Sequence, residues 1–254
     1  MQLDYITGEY ERFLCDRYAC QQISGAADMI ATYHSLLDKN PGYRFLFTLD
    51  DLGQALYTSM HASSGEDLDD VEGYDLSHLP ASCFEDGQHL GYLTCKEELF
   101  IVRGNIEKKC RELDFEDVCA RGISLFHDSI DEFKQANQDI LSILDEECFI
   151  LKVPVTHQYE TICAFPNGYF SCDLSPMENL LFARLLDEQF GYQLIGIGAS
   201  YVAFLKTREL DESEIQSMIT MLARVYADEF NETLTSLLAD MIRGQEILVL
   251  TYTE

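Results

Sequence analysis

The chain has 254 residues, 47% of them hydrophobic, so it is long enough to bury one large core or two small ones and is not a disordered acidic tail. Its 17 Lys and Arg residues against 45 Asp and Glu residues give a formal net charge of −28 at pH 7. Such a charge repels phosphate backbones and anionic lipid surfaces, so we expect neither nucleic acid nor a membrane as a partner.

The cysteines and the N-terminal residues bear on the cellular compartment. The nine cysteines are scattered along the chain, and no Cys-x-x-Cys pair occurs, which argues against a zinc or thioredoxin-like motif. The N-terminus lacks the basic and apolar regions of a secretory signal. No apolar run approaches the roughly 18–20 residues that a membrane helix needs. The sequence therefore predicts a cytoplasmic protein without a metal or a cofactor.

In the first half of the chain, helical and strand patterns surround one long acidic segment. The spacing of apolar residues predicts a helix over residues 25–39, a strand over 43–49, a helix over 52–60, strands over 89–95 and 99–102, a short helix near 106–110 and a helix over 130–144. Residues 2–20 are ambiguous and suggest a short helix face. Residues 62–87 are polar, acidic and rich in turn residues, which predicts a long surface loop.

The second half of the chain has clearer signals for where helices and strands begin and end. The pattern predicts strands over residues 148–153, 162–165, 169–172, 192–197, 201–205 and 246–252, and helices over 176–190, 212–226 and 234–243. Asn167-Gly168 between two apolar runs favours a β-hairpin. Ser175, Pro176 and Glu178 form an N-cap, a first helical proline and a capping-box partner. The last strand is apolar at consecutive positions, which is typical of a central strand covered on both faces.

These elements predict an α+β or α/β fold in which mixed sheets pack against amphipathic helices. Residues 36–43 match residues 185–192 at five of eight positions, and both segments join a helix to a strand. Two interpretations remain open: a duplication that gave two related halves, or ordinary helix-ending glycine chemistry. On the first interpretation the chain divides into an N-terminal α/β half, residues 1–146, which carries the acidic loop 62–87, and a C-terminal α/β half, residues 147–254.

Familiar catalytic and metal-binding motifs do not fit this sequence. Gly196-Ile197-Gly198 has no third glycine and precedes a strand, which favours a tight turn over a nucleotide-binding loop. The segment from Asp67 to Gly73 is similar to a calcium loop, but Val71 stands where a ligand is needed. The six histidines form no His-x-His or His-x-x-x-His pair.

One segment resembles known proteins. Residues 165–179, which include Pro176-Met177-Glu178-Asn179, together with Phe190-Gly191-Tyr192 resemble the C-terminal part of uncharacterised bacterial cytoplasmic proteins with a Pro-x-Glu-Asn helix and a Gly-Tyr strand entry. The resemblance covers about a quarter of the chain and implies a shared fold in this part. In its acidic, compact style the chain is also similar to immunity proteins that neutralise bacterial toxins.

The distribution of charge gives the main functional hypothesis. Between Arg44 and Lys96 there are ten acidic residues and no Lys or Arg, and we call residues 45–95 the basic-free span. A one-signed surface attracts basic partners. We therefore expect a non-enzymatic acidic binding protein, in its most concrete form an immunity- or antitoxin-like inhibitor of a basic toxin. The expected partner-binding residues are Glu66, Asp67, Asp69, Asp70 and Glu72.

Two alternatives to this hypothesis remain open at the level of sequence. The first is an enzyme whose site is assembled from distant residues near His157, Tyr169 and Asp173. The second is an adaptor that binds its partner through apolar rather than acidic surface. A deep pocket with converging titratable groups would favour the enzyme, and binding that survives scrambling of the acidic loop would favour the adaptor.

Overall fold

A seven-stranded mixed sheet forms the centre of the structure, a computed structural model that describes residues 1–126, 129–227 and 230–253. The strands are β1 (Gln2–Ile6), β2 (Asp16–Gln21), β3 (Arg44–Thr48), β4 (Phe84–Glu85), β5 (Gln88–His89), β6 (Cys148–Val153), β7 (Tyr192–Ile197), β8 (Tyr201–Lys206) and β9 (Ile247–Thr251). The large sheet has the order β1-β2-β6-β3-β7-β8-β9, and β4 and β5 form a separate small hairpin. Within the large sheet, β3 and β7 run parallel.

Helices cover both faces of this sheet, which confirms the predicted α+β class. They are α1 (Ala26–Lys39), α2 (Leu52–Gly65), α3 (Leu99–Cys110), α4 (Phe115–Ala120), α5 (Ile130–Gln138), α6 (Pro176–Leu185), α7 (Glu212–Val225) and α8 (Glu232–Gly244). Helices α1 and α5 contribute to a core on one face, and the larger core on the other face contains residues of α2, α3, α4, α6, α7 and α8. No helix in the described part of the chain is both long and apolar enough to cross a bilayer.

Strand β6 shows why consecutive apolar residues form a strand in this protein. Phe149, Leu151 and Val153 belong to the larger core, whereas Cys148 and Ile150 belong to the smaller one. Its alternate side chains therefore enter the two cores, so both of its faces are buried, while β2 and β3 pair with its two edges. Because β6 follows residue 146 and its two neighbours precede it, the predicted division into halves does not separate two sheets.

The predicted central position of the last strand, β9, is wrong. All five of its residues are buried, as its apolar run predicted, but it lies at the edge of the sheet and not at its centre. The Asn137 side chain of α5 takes the place of a neighbouring strand: it accepts from Val249 N (2.8 Å) and donates to Val249 O (2.9 Å). The edge is thereby covered, which protects it from pairing with another chain.

The predicted hairpin over residues 162–172 is wrong. Gln158–Ala164 form a 3₁₀ helix, and turns follow it. The buried Asn167 accepts a 2.6 Å hydrogen bond from Thr58 of α2. Gly168 has φ +111°, and a Cβ atom there would lie 1.8 Å from the Leu174 carbonyl oxygen. Asn-Gly therefore serves a close tertiary contact here and not a hairpin turn.

The predicted strands over residues 89–95 and 99–102 are also wrong beyond the two-residue β5. Glu98 accepts hydrogen bonds from Thr94 N (2.6 Å) and Cys95 N (2.9 Å), and these bonds cap the helical segment that follows. Residues 99–102 are consequently the first turn of α3. The helix face suggested for residues 2–20 is replaced by β1 and β2, which pair antiparallel from Gln2 opposite Gln21 to Ile6 opposite Arg17.

The Asp16 carboxylate joins distant parts of the N-terminal region. It accepts hydrogen bonds from Tyr5 Oη (2.8 Å), Thr7 Oγ1 (2.6 Å), Tyr10 Oη (3.0 Å) and Lys96 Nζ (2.9 Å). Burial opposes its ionisation, but the bonds from Thr7, Lys96 and the two tyrosines outweigh burial and lower its pKa to about 2. A single ionised group thus connects β1, the segment after it and the residue that follows Cys95.

We expect Asp16→Asn to destabilise the protein at neutral pH and to reduce its sensitivity to acid. The folded-state pKa lies below the ordinary value of 3.8, so the carboxylate stabilises the fold above about pH 4 and loses this effect towards pH 2. A shift of this size corresponds to about 2 kcal/mol. Urea unfolding at about pH 7 and about pH 2.5 measures it. Equal losses of stability on acidification in the variant and the wild type would contradict this role.

Candidate binding groove

An open groove lies between the exposed face of α2, the segment 10–14 and the loop 92–93. It encloses about 600 Å³, and more of its surface is apolar than polar. Its lining includes Tyr10, Tyr57, Met60, Ser63, Asp69 and Tyr92. The segment before Asn167 contributes Cys163, Ala164 and Pro166. Volume and lining fit the range of sites that accept a small molecule or a few side chains of a partner.

The groove is notable because its large side chains are exposed. Tyr57 is 49% exposed, Met60 60% and Tyr92 58%. In the described part of the chain the exposed large hydrophobic residues also include Tyr5, Tyr169 and Phe170. Tyr and Met are enriched at protein interfaces, where a polar tip or a flexible chain adapts to the partner.

A row of aromatic side chains extends the groove towards the residues that follow Asn167 and Gly168. The ring centroids of Tyr57 and His61 are 4.3 Å apart, those of His61 and Tyr169 5.1 Å, and those of Tyr169 and Phe170 5.3 Å. The first two rings lie one turn apart on α2, so helical spacing places them on the same side. The exposed aromatic surface therefore continues from the groove across the end of α2.

The orientation of α2 is fixed at its start and at its middle. Asp51 caps the helix by accepting from Gln54 N (3.0 Å), and Leu52 N donates to Asp145 (2.7 Å). Near the middle, Thr58 bonds to the buried Asn167. The buried face of α2 contains small side chains, which allow close packing and turn the aromatic face outwards.

The acidic residues expected to bind a partner follow α2 directly. The loop that carries them is held by Asn105 Nδ2, which donates to Leu68 O (3.0 Å) and Asp70 O (2.8 Å). Leu68 itself is fully buried. Backbone contacts therefore give this loop a defined position. The loop predicted over residues 62–87 is shorter in the structure: residues 66–80 contain no helix or strand, whereas residues 62–65 belong to α2 and residues 81–85 form a 3₁₀ turn and β4.

The five acidic side chains have different environments. Asp67, Asp70 and Glu72 are exposed, whereas Glu66 is half-buried and lies 3.4 Å from Lys109 Nζ. Asp69 lines the groove, where burial, together with the charges of Asp67 and Asp70, raises its pKa. The structure thus joins the predicted acidic segment to the apolar groove, and Asp69 belongs to both.

The segment 10–14 brings residues of both charges to the other side of the groove, Glu11 and Arg12. Arg12 forms a bidentate ion pair with Glu147, with distances of 2.8 and 2.9 Å. Arg17 is buried beneath the rings of Phe13 and Phe149 and donates to the carbonyl of Glu9. Of the charged side chains that line the groove, Arg12 is paired with Glu147, and Glu11 and Asp69 contribute negative charge.

The residues proposed for an enzyme have separate partners. His157 stacks on Tyr159, with ring centroids 5.1 Å apart, while Tyr169 contacts His61. Asp173 accepts from Phe170 N (3.0 Å), and burial raises its pKa. Among the described residues, no hydrogen bond, ion pair or ring contact joins His157 to Tyr169 or Asp173.

Sequence reasoning did not identify Tyr10, Tyr57, Met60 or Tyr92 as site residues. A partial signal was present on α2, where Tyr57, Met60 and His61 share a face that the buried positions leave free. The other walls come from distant segments, and their proximity is set by tertiary contacts alone.

Comparison with known proteins identifies no relative of this chain. No protein-family model, no curated protein and no solved structure matches it. The resemblance of residues 165–179 to bacterial cytoplasmic proteins therefore stays a prediction, and the geometry of the groove is the basis for assigning it a role.

The Thr58–Asn167 bond gives a direct test of how α2 is positioned. We expect Thr58→Val to cost about 1–3 kcal/mol, because it leaves the buried Asn167 oxygen without a donor. Thr58→Ser is the matched control, since it keeps the hydroxyl and removes only a methyl group. Urea unfolding of both variants at neutral pH measures the difference. If the serine variant is as unstable as the valine variant, the hydrogen bond does not hold the helix.

Proposed function

We propose that this protein is a non-enzymatic cytoplasmic binding protein that takes a basic and partly apolar segment of another protein into the groove. Its most concrete form is an immunity- or antitoxin-like inhibitor that covers the cationic surface of a toxin. The observation that carries the proposal is the junction of an exposed Tyr and Met surface with an acidic segment, at Asp69.

The apolar part of the groove supports a protein partner. Contact energy in interfaces is concentrated in a few aromatic and other large side chains near the centre of the contact. Tyr57, Met60 and Tyr92 have this character, and they surround one concavity. Their exposure leaves apolar surface in water, and a partner that covers it gains free energy.

The acidic part supports a basic partner. Asp67, Asp70 and Glu72 are exposed beside the groove, in a basic-free span of the sequence. Charges at the rim of an interface mainly accelerate association and select partners of opposite sign, while the buried centre provides affinity. A partner segment with Lys or Arg next to a large apolar side chain satisfies both parts of this surface.

Because the apolar part of the groove and the acidic part have different roles, pairs of substitutions can test each part separately. Tyr57→Ala with Met60→Ala removes the apolar anchors, and Asp67→Lys with Glu72→Lys reverses two rim charges. Asp38→Lys with Glu246→Lys is the matched control, because both residues are exposed and lie outside the groove. These two substitutions change the net charge by the same amount as the acidic pair.

We expect wild-type protein, used as bait in an extract of the native host, to capture a basic protein. The alanine pair should lower its retention at least about tenfold, the loss expected when interface anchors are truncated. The acidic pair should weaken capture at low salt and reduce its salt dependence, whereas the control pair should behave like wild type. Capture of a basic protein that is equally strong in all variants, or capture of no basic protein, would contradict the proposal.

A further inference from the structure

A compact cluster of ligating side chains lies beside the small β4–β5 hairpin. Cys83 precedes this hairpin, and Cys95 and Glu98 follow it. The two Sγ atoms are 3.2 Å apart, and one ligating atom from each of the three residues lies within 4.8 Å of the others. All three are buried, Cys83 and Glu98 completely so. Among the described residues no other group of His, Cys, Asp and Glu meets the same geometric condition.

We propose that Cys83, Cys95 and Glu98 bind a divalent thiophilic cation, Zn²⁺ by the chemistry of its ligands, and that His89 orients the Glu98 carboxylate. Two thiolates and one carboxylate are ligands that zinc accepts, whereas magnesium and calcium prefer oxygen alone. Three protein ligands leave a fourth tetrahedral position for water or another group.

The hydrogen bonds around Glu98 leave room for a cation. Its Oε2 atom accepts from Thr94 N (2.6 Å) and Cys95 N (2.9 Å), while Oε1 lies 2.7 Å from His89 Nε2. Because Gly91 N donates to His89 Nδ1 (3.1 Å), the ring proton is on Nε2 and is donated to Glu98. These bonds fix the carboxylate, and Oε1 keeps a lone pair for a metal. Hydrogen bonding of a ligating carboxylate is common in metal sites.

The distance between the two sulfur atoms is slightly shorter than in a zinc site with two thiolate ligands. Two thiolates on one zinc, each about 2.3 Å from the metal, are about 3.7 Å apart. The observed 3.2 Å must therefore widen by about half an ångström. A disulfide, at about 2.05 Å, requires an approach of more than about 1 Å.

The packing around the cluster shows what a metal adds. The small core there contains three buried hydrophobic residues, and two of them are Cys83 and Cys95, with Leu79 as the third. Segments with so little apolar burial are commonly stabilised by a metal or a disulfide. Tyr92 and Leu93, which line the groove, lie between His89 and Cys95 in the chain. A bound cation would therefore stabilise one wall of the groove.

Binding has a defined proton balance. A cysteine binds zinc as a thiolate, so a thiol that becomes a ligand loses its proton. Each Zn²⁺ that forms two Zn–S bonds releases two thiol protons, and no electron is transferred. Affinity should therefore increase with pH.

The test uses the whole reduced protein after removal of metals with a chelator. We expect about one equivalent of Zn²⁺ to bind with release of about two protons, and Co²⁺ to give a thiolate-to-cobalt charge-transfer absorption. Zinc should raise the melting temperature by several degrees. Cys83→Ser should abolish the cobalt absorption, whereas Cys119→Ser, a half-buried cysteine of α4, should retain it.

The wild-type and Cys119→Ser proteins keep the test valid if Cys83→Ser fails to fold. Absence of the cobalt absorption in both would overturn the proposal, as would release of no protons. A Cys83–Cys95 disulfide found by mass spectrometry in protein taken directly from its host, together with no bound zinc, would also overturn it. These outcomes do not depend on the proposed partner of the groove.

Discussion

The ionised carboxylate of Asp16 is the contact on which the arrangement of the N-terminal region depends. It binds Tyr5 of the edge strand, Tyr10 of the groove wall and Lys96 beside the cysteine cluster, while its own backbone lies in β2 of the central sheet. Four donors to one buried carboxylate stabilise its charge. A backbone ladder already aligns β1 with β2, whereas Tyr10 and Lys96 lie outside the large sheet and are joined to it by their bonds to Asp16.

In the proposed binding surface, apolar side chains and acidic side chains lie on different elements of the fold. The central sheet supplies rigid support, and α2 presents Tyr57 and Met60 on its outer side. The loop after α2, which Asn105 holds through its backbone, places Asp69 at the rim. Apolar contact and charge are therefore adjacent but carried by different elements, so partner selection and affinity can change independently.

Local chemistry predicted much of the fold, and tertiary contact decided the rest. Strand β6, covered on both faces, and helix α6, with its Ser175 and Glu178 capping box, follow from neighbouring residues and were predicted. Asn167 and Gly168 were wrongly assigned to a hairpin. Asn167 bonds to Thr58, which lies 109 residues earlier in the chain, and the local sequence does not show that contact. The groove shares this limit, because its walls are distant in sequence. The ligands of the cysteine cluster are close in sequence but follow no familiar metal-binding spacing, whereas the acidic rim was visible as a run of like charges.

We propose that the groove beside α2, and not the acidic surface in general, contacts the partner. Photo-crosslinking in living host cells tests this, with a photoreactive amino acid in place of Met60 and, as a control, in place of the exposed Glu188. We expect an adduct with a basic protein at position 60 and none at position 188. Absence of an adduct at position 60, or equal adducts at both positions, would contradict it.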